Sequence, residues 1–245
     1  MNRATQLALN RINQRFYASI AGQWSDKRKH AWPGFARALA AVGGDPRRVL
    51  DVGCGDGRFA AFLAEQSAGE RSYLGIDSSE ALLAHAAQRA LPPSYRFEQH
   101  DFVEAPLALE GARFQLIALF GVLHHVPGSA QRAALVRALA ELLEPGGHLV
   151  LTVWRLDEDP RFAARDIAFA EYNRSAAEPL DQSQLEPGDH LLRWDDQAAT
   201  PRYCHFPDTE ELYQLVAHSG LEERERFRAD GHLNRMNEYV VLRAH

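Results

Sequence analysis

At 245 residues, with 46% hydrophobic and 24% charged residues, the chain has the make-up of one generous globular domain. Its longest apolar run, about Leu116–Leu123, falls far short of the ~18 residues of a helical membrane span. The net charge of −6 conceals a basic arm, +7 over residues 1–48, on an acidic body of −13, which argues against nonspecific nucleic-acid binding by the chain as a whole.

The N-terminal stretch MNRATQLALNRINQRF alternates polar and apolar residues and has no signal-peptide core. It is expected to form a helical cap over residues 1–46. Two cysteines far apart, Cys54 and Cys204, do not make a disulfide framework, and a reducing cytoplasm is the expected compartment.

From residue 47 the chain alternates strand-like and helix-like segments, which predicts a parallel sheet flanked by helices. Val49–Val52 reads as a short buried strand ending in a glycine turn. Phe59–Gln66 reads as a helix with Phe59, Phe62 and Leu63 on one face. Tyr73–Asp77 is the second strand, and Ser78 is the expected N-cap of a helix over Glu80–Ala90 that stops before Pro92-Pro93. Tyr95–Gln99 and Phe114–Phe120 are strands three and four, the latter apolar throughout, as for a strand covered on both faces. Ser129 is expected to cap a helix carrying Leu135, Leu139 and Leu142. Pro145-Gly146-Gly147 should end it, with strand five at His148–Trp154.

The pattern breaks over residues 155–207, read as an insert roofing the carboxyl edge of the sheet. It resumes at PDTEELYQLVAHSG, where Asp208 is a good N-cap and Gly220 lies past the helix end. Two closing strands, about Glu222–Arg228 and Glu238–Arg243, form a hairpin. The expected fold class is α/β: a Rossmann-like, doubly wound, mostly parallel seven-stranded sheet with a terminal antiparallel pair. One domain is expected: cap 1–46, cofactor core 47–154, insert 155–207, closing segment 208–245.

The stretch VLDVGCGDGRF carries glycines at 53, 55 and 57. The dinucleotide fingerprint G-x-G-x-x-G would need a glycine at position 58, where Arg58 stands, and no Gly-Lys-Ser/Thr follows for a phosphate loop. Asp77 ends the next strand and can accept both hydroxyls of a ribose. Asp101, beside Phe102 at the end of strand three, can bond an adenine amino group while the ring stacks. Asp51 is expected to order the glycine turn through backbone amides. Cys54 reads as a small residue tolerated in the turn, with no sign of a nucleophile.

These motifs, with YLGIDSS, EQHDF, FQLIALFGVLHHV and LLEPGGHLVLTVW, resemble the class I S-adenosylmethionine methyltransferases. The resemblance implies that cofactor, with Gly53 and Gly55 beside its methionine portion, Asp77 on the ribose, Asp101 on the adenine and Phe120 near the sulfonium. The residues expected to line the cofactor are Tyr17, Arg28, Gly53, Cys54, Gly55, Asp77, Ser78, Asp101, Phe102 and Phe120.

The acceptor must be read outside this core. Tyr17, Ile20-Ala21, Arg28, Trp32-Pro33, and the run Arg202, Tyr203, His205, Phe206 resemble the methyltransferases that esterify a carboxymethyl group on the wobble uridine of tRNA. The acceptor is thus expected to be either a small metabolite or a carboxymethylated tRNA wobble uridine. A catalytically silent cofactor- or partner-binding protein is the alternative. His124, Arg202 and His205 are the expected catalytic residues: an arginine to orient a carboxylate, a histidine to take a proton from a hydroxyl or amine. His125 shares the histidine pair. No metal and no membrane partner are expected; Trp24, Trp32 and Trp154 read as lid or core.

Overall fold

The computed structural model describes residues 1–27, 30–66, 69–107, 109, 111–158, 162, 164–194 and 200–245, and the side chains of all of these except 21–27 and 157. A long helix, α1 (Arg3–Lys27), opens the chain. Leu9, Ile12, Phe16 and Ile20 recur at helical spacing and are all at most 6% exposed, so one stripe of α1 is core. Helix α2 (Pro33–Val42) starts on proline, where no N–H is needed, and buries Phe35 and Ala38.

Then follow β1 (Arg48–Val52), α3 (Arg58–Gln66), β2 (Ser72–Asp77), α4 (Glu80–Ala87), β3 (Tyr95–Gln99), β4 (Phe114–Leu119), α5 (Ser129–Glu141) and β5 (Leu143–Trp154). The remainder is α6 (Phe169–Ser175), β6 (Asp189–Leu192), β7 (Arg202–His205), α7 (Thr209–Ser219), β8 (Glu222–Ala229) and β9 (Asn237–Arg243).

Seven strands form one sheet in the order β3-β2-β1-β4-β5-β9-β8. The first five are parallel, and β9 runs antiparallel to both β5 and β8. In register, Val49 lies beside Tyr73 and Leu116, and Leu149 beside Ile117 and Leu242. Apolar layers cover both faces. Leu50, Ile117, Leu149 and Val240 pack toward α5 and α7; Val49, Leu116, Val150 and Val241 pack toward α2 and α3. The strand order reverses between β1 and β4, which opens a crevice at their carboxyl ends.

Three local expectations are corrected, and the segment read as an insert holds a further element. Ser79, not Ser78, caps α4, accepting from the Leu82 N–H at 3.3 Å, and the helix stops at Ala87. Gly128, not Ser129, is the N-cap of α5; the hydroxyl and N–H of Ser129 both donate to Glu186 instead. Strand β5 begins at Leu143. Phe114 pairs with Leu143 before the register shifts, so Pro145-Gly146-Gly147 is an irregularity inside the strand rather than its preface. Residues 155–207 contain a second sheet, the antiparallel pair β6–β7. The closing helix agrees with its capping signal: the carboxylate of Asp208 accepts from the Glu211 N–H at 2.8 Å, and Gly220 is left-handed at φ 68°. Among the described residues, no helix is long and apolar enough to cross a membrane.

Candidate functional site

The crevice is a cavity of about 1020 Å³, counting the space open to solvent at its mouth. Its floor is the glycine turn. Gly53 is held at φ +73° with its N–H on the Ile76 carbonyl at 2.7 Å, and a Cβ there would meet Val122 Cγ2 at 2.1 Å. Gly55, at φ +55°, would carry a Cβ into open space. The turn therefore needs glycine at 53 for packing, and glycine at 55 keeps the backbone bare.

Asp77 fixes this turn from the next strand. Its Oδ2 accepts from the Gly55 N–H and its Oδ1 from the Ser79 N–H, each at 2.8 Å. Each oxygen retains a lone-pair site, enough for two vicinal hydroxyls. Burial pushes its carboxyl upward from the ordinary value, against the backbone N–H groups of Ser79 and Gly55.

Beneath the turn, Asp51 is 2% exposed and is pushed up to about 7 by burial, against a hydrogen bond from the Tyr73 hydroxyl. That hydroxyl, rather than the turn amides expected, is its hydrogen-bond donor among the described residues. Cys54 lines the cavity, and burial pushes its thiol well above the ordinary range, as befits a packing residue.

A cation overlooked in the sequence stands at one corner. Arg58, which begins α3, lies 4.7 Å over the Trp32 ring and lines the cavity with Trp32, Phe35 and Phe59. Its Nε is buried without a hydrogen-bond partner among the described residues, and burial lowers its pKa. Two acids whose charge acts on it are engaged elsewhere. Asp56 pairs with Arg89 at 2.6 Å, and Asp230 accepts from the Gly34 N–H, the Asn237 amide and the Tyr239 hydroxyl. At the opposite corner lie Asp101, Phe102 and Leu82.

The third corner is Tyr17, Asn13, Val122, His125 and Trp154. The Tyr17 hydroxyl lies 2.8 Å from His125 Nε2, and His125 Nδ1 lies 2.9 Å from the Tyr203 carbonyl oxygen. A carbonyl only accepts, so Nδ1 carries the proton and Nε2 receives the tyrosine O–H. Asn13 holds the same strand, accepting the Tyr203 N–H at 2.9 Å.

Of the expected cofactor residues, Tyr17, Gly53, Cys54, Gly55, Asp77, Ser78, Asp101, Phe102 and Phe120 all border this one cavity. Arg28 lies outside the described residues, as do the side chains of Trp24, Lys27 and Lys29. The three expected catalytic residues do not border it. The short 3₁₀ turn Leu123–His125 directs His125 into the cavity and His124 away, to stack on Trp154 with centroids 3.7 Å apart and no exposure. Strand alternation separates the rest. On β7, Arg202 lies 4.5 Å over Trp154, while Tyr203 and His205 point to the opposite side and bond Asp189 at 2.8 and 2.7 Å.

His205 belongs to a structural cluster. Its Nε2 meets Glu211 at 2.8 Å, and Arg132 spans Glu186 and Glu211 at 2.7 and 2.6 Å, fastening the insert to α5 and α7. Glu186, Asp189 and His205 bring potential metal-ligand atoms within 4.8 Å of one another, but the guanidinium of Arg132 already supplies the cation.

Sequence reasoning missed Asn10, Asn13, Gln14 and Arg58. The first three fall with Tyr17 at i, i+3, i+4 and i+7, a polar stripe that helical spacing makes visible.

A family model described as a methyltransferase domain matches residues 24–225. The chain is 35% identical over 138 residues to a ubiquinone biosynthesis O-methyltransferase of Psychrobacter cryohalolentis, covering 56% of this chain and 51% of that protein. It is 24% identical over 211 residues to a probable tRNA methyltransferase 9B of Homo sapiens, covering 86% of this chain and 41% of that one. The chain thus spans about half the length, or less, of these curated relatives. Among solved structures it is similar to S-adenosylmethionine-bound CalS10, an amino pentose methyltransferase from Micromonospora echinaspora, with a TM-score of 0.56, 24% identity, and coverage of 94% of this chain and 97% of that one. With the family match over residues 24–225 and the seven-stranded order of its sheet, the chain belongs to the methyltransferase-domain family, as a class I S-adenosylmethionine-dependent methyltransferase.

Proposed function

We propose that the chain methylates a hydroxyl or amine on a small acceptor, with His125 taking the proton through Tyr17. The observation that carries this reading is the Tyr17–His125 pair on the cavity wall, with the imidazole tautomer set by the Tyr203 carbonyl. A carboxylate acceptor is already a nucleophile and would need no such base.

S-adenosylmethionine supplies an activated methyl group on a sulfonium. The residues that would hold it follow from their unused bonding capacity. Asp77 has one open acceptor site per oxygen for the ribose hydroxyls. Arg58, whose Nε has no hydrogen-bond partner among the described residues, would take the methionine carboxylate. The bare backbone at Gly55 leaves room between them.

As the acceptor oxygen or nitrogen would take the methyl group, with the carbon–sulfur bond breaking to leave a neutral thioether, its proton would pass to the Tyr17 oxygen. The phenolic proton moves in turn to His125 Nε2, and the imidazolium keeps its Nδ1–H on Tyr203. The aromatic walls at Trp154, Phe120 and Phe35 exclude water and suit a planar acceptor such as a phenol. That chemistry is in keeping with the relatives named for ubiquinone O-methylation.

Of the residues that carry the tRNA likeness, Arg202, Tyr203, His205 and Phe206 are 3%, 0%, 1% and 8% exposed, which favours a packing role for that run and a small acceptor over RNA. The test is methyl transfer from labelled S-adenosylmethionine to a panel of phenols and small amines beside unmodified and carboxymethyl-uridine tRNA. Turnover of a small acceptor is expected; turnover of tRNA alone would refute the proposal.

A further inference from the structure

The carboxylate of Asp101 is fully engaged. Its Oδ1 accepts from the N–H groups of Val103 at 2.9 Å and Glu104 at 3.1 Å. Its Oδ2 accepts from Asn10 Nδ2 and Gln14 Nε2, each at 2.8 Å. A carboxylate offers about four lone-pair sites, and all four are taken. An exocyclic amino group brings only donors, so it finds no free acceptor on this side chain.

The two amides from α1 offer what Asp101 no longer can. A carboxylate accepts and does not donate, so each amide must turn its nitrogen to Asp101 and its oxygen away. Gln14 Nε2 is held further by Glu104 at 3.0 Å, which fixes the same orientation. Neither Asn10 Oδ1 nor Gln14 Oε1 has a hydrogen-bond partner among the described residues, and both side chains border the cavity beside Asp101 and Phe102. The segment they hold is itself tied to α1, because Arg3 donates to the carbonyls of Val103 and Glu104, each at 2.7 Å.

We propose that the amide oxygens of Asn10 and Gln14, rather than Asp101, read the 6-amino group of the adenine, with Asp101 as the positioning residue that turns both amides. The proposal rests on the cofactor occupying this cavity. Two acceptors match the two N–H groups of an exocyclic amine, and a 6-oxo base brings an acceptor to the same place, which they repel. One stripe of α1 then serves both ends of the reaction. Asn10 and Gln14 select the cofactor, and Tyr17, one turn on from Asn13, reaches His125.

The experiment is calorimetric titration of the full chain with S-adenosylhomocysteine and with its 6-oxo analogue, S-inosylhomocysteine. The wild type is expected to prefer the adenine form by roughly tenfold to a hundredfold. Asn10→Leu with Gln14→Met should bring the preference close to one, by weakening the adenine form and relieving the repulsion of the 6-oxo analogue, with thermal melts verifying the fold. Gln14→Met alone, on the more exposed of the two residues, should cut the preference severalfold if the double variant fails to fold. A preference undiminished in a folded variant, or no preference in the wild type, overturns the proposal. A wild type that binds neither compound overturns instead the cofactor reading on which it rests.

Discussion

The Tyr17 hydroxyl donates to Nε2 of His125 across 2.8 Å, joining the N-terminal helix to the turn after β4 at the wall of the cavity. Because Nδ1 is committed to the Tyr203 carbonyl, Nε2 is the nitrogen left to receive a proton. His125→Ala should lower kcat by about 10²–10⁴, the usual worth of a positioned base. Tyr17→Phe should cost less, since Nε2 then faces the acceptor directly. Affinity for S-adenosylhomocysteine should stay within about twofold in His125→Ala if its role is confined to the proton. Steady-state kinetics beside titration calorimetry separates the two effects; an unchanged kcat in His125→Ala removes the base from the mechanism.

Asp77 serves turn and ligand together, with one bond from each oxygen to the backbone and one site open. Asp77→Ala should weaken S-adenosylhomocysteine binding by about 1–3 kcal/mol, the cost of unpaired hydroxyls. Asp77→Asn should be no milder. An amide must set its NH₂ against either the Gly55 or the Ser79 N–H, two donors facing each other. Calorimetry on both variants is the check, and wild-type affinity in either rejects the ribose role.

The contrast between these residues and His124 or His205 marks where the sequence is readable. Gly53, Asp77 and Asp101 stand at fixed offsets from strands whose apolar patterning is unambiguous, so their arrival at one sheet edge follows from topology. The His124–His125 pair could not be resolved that way, because a 3₁₀ turn of three residues decides which ring enters the cavity. Arg202 and His205 lie in an insert whose short strands carry no strong period, and the β6–β7 pairing sends successive side chains to opposite sides. Arg58 looked like the absence of a glycine; its position over Trp32 depends on α2, which is remote in sequence from the turn.

The two glycines of the turn should fail differently. Gly53→Ala forces a Cβ to 2.1 Å from Val122 Cγ2 on a backbone at φ +73°, and should destabilise the fold by about 1–3 kcal/mol. Gly55→Ala meets nothing within 4 Å. Its fold cost should be about 1 kcal/mol for the positive φ, while the new methyl group projects into the cavity and weakens the cofactor. Thermal melts with and without S-adenosylhomocysteine distinguish them: ligand stabilisation should be kept in a weakened Gly53→Ala and diminished in Gly55→Ala.

The His205 cluster should give the fold its own pH signature, independent of catalysis. Burial works against a charged imidazole, but the hydrogen bonds to Asp189 and Glu211 outweigh it, so the pKa is raised above the ordinary value of 6.5. A raised histidine contributes stability that is fully present below the unfolded value and is lost as pH rises through the folded one. Glu211 and Glu186 act in the opposite sense. Burial opposes their charge, yet the His205 bond on the one and the Ser129 N–H on the other, with Arg132 beside both, hold them below the ordinary 4.5. Their contribution is present above that value and lost on acidification through the lower folded values. The cluster's own contribution to the melting temperature should therefore fall on both sides of a weakly acidic optimum, on top of the loss that the raised carboxyl of Asp51 brings as pH rises toward about 7. His205→Gln should flatten only the alkaline limb, above about pH 6.5. Arg132→Met leaves the carboxylates buried without their cation and should cost on the order of 3–5 kcal/mol. Melts of both variants from pH 4 to 9 are the measurement, and an alkaline limb that survives His205→Gln would assign the titration to another group.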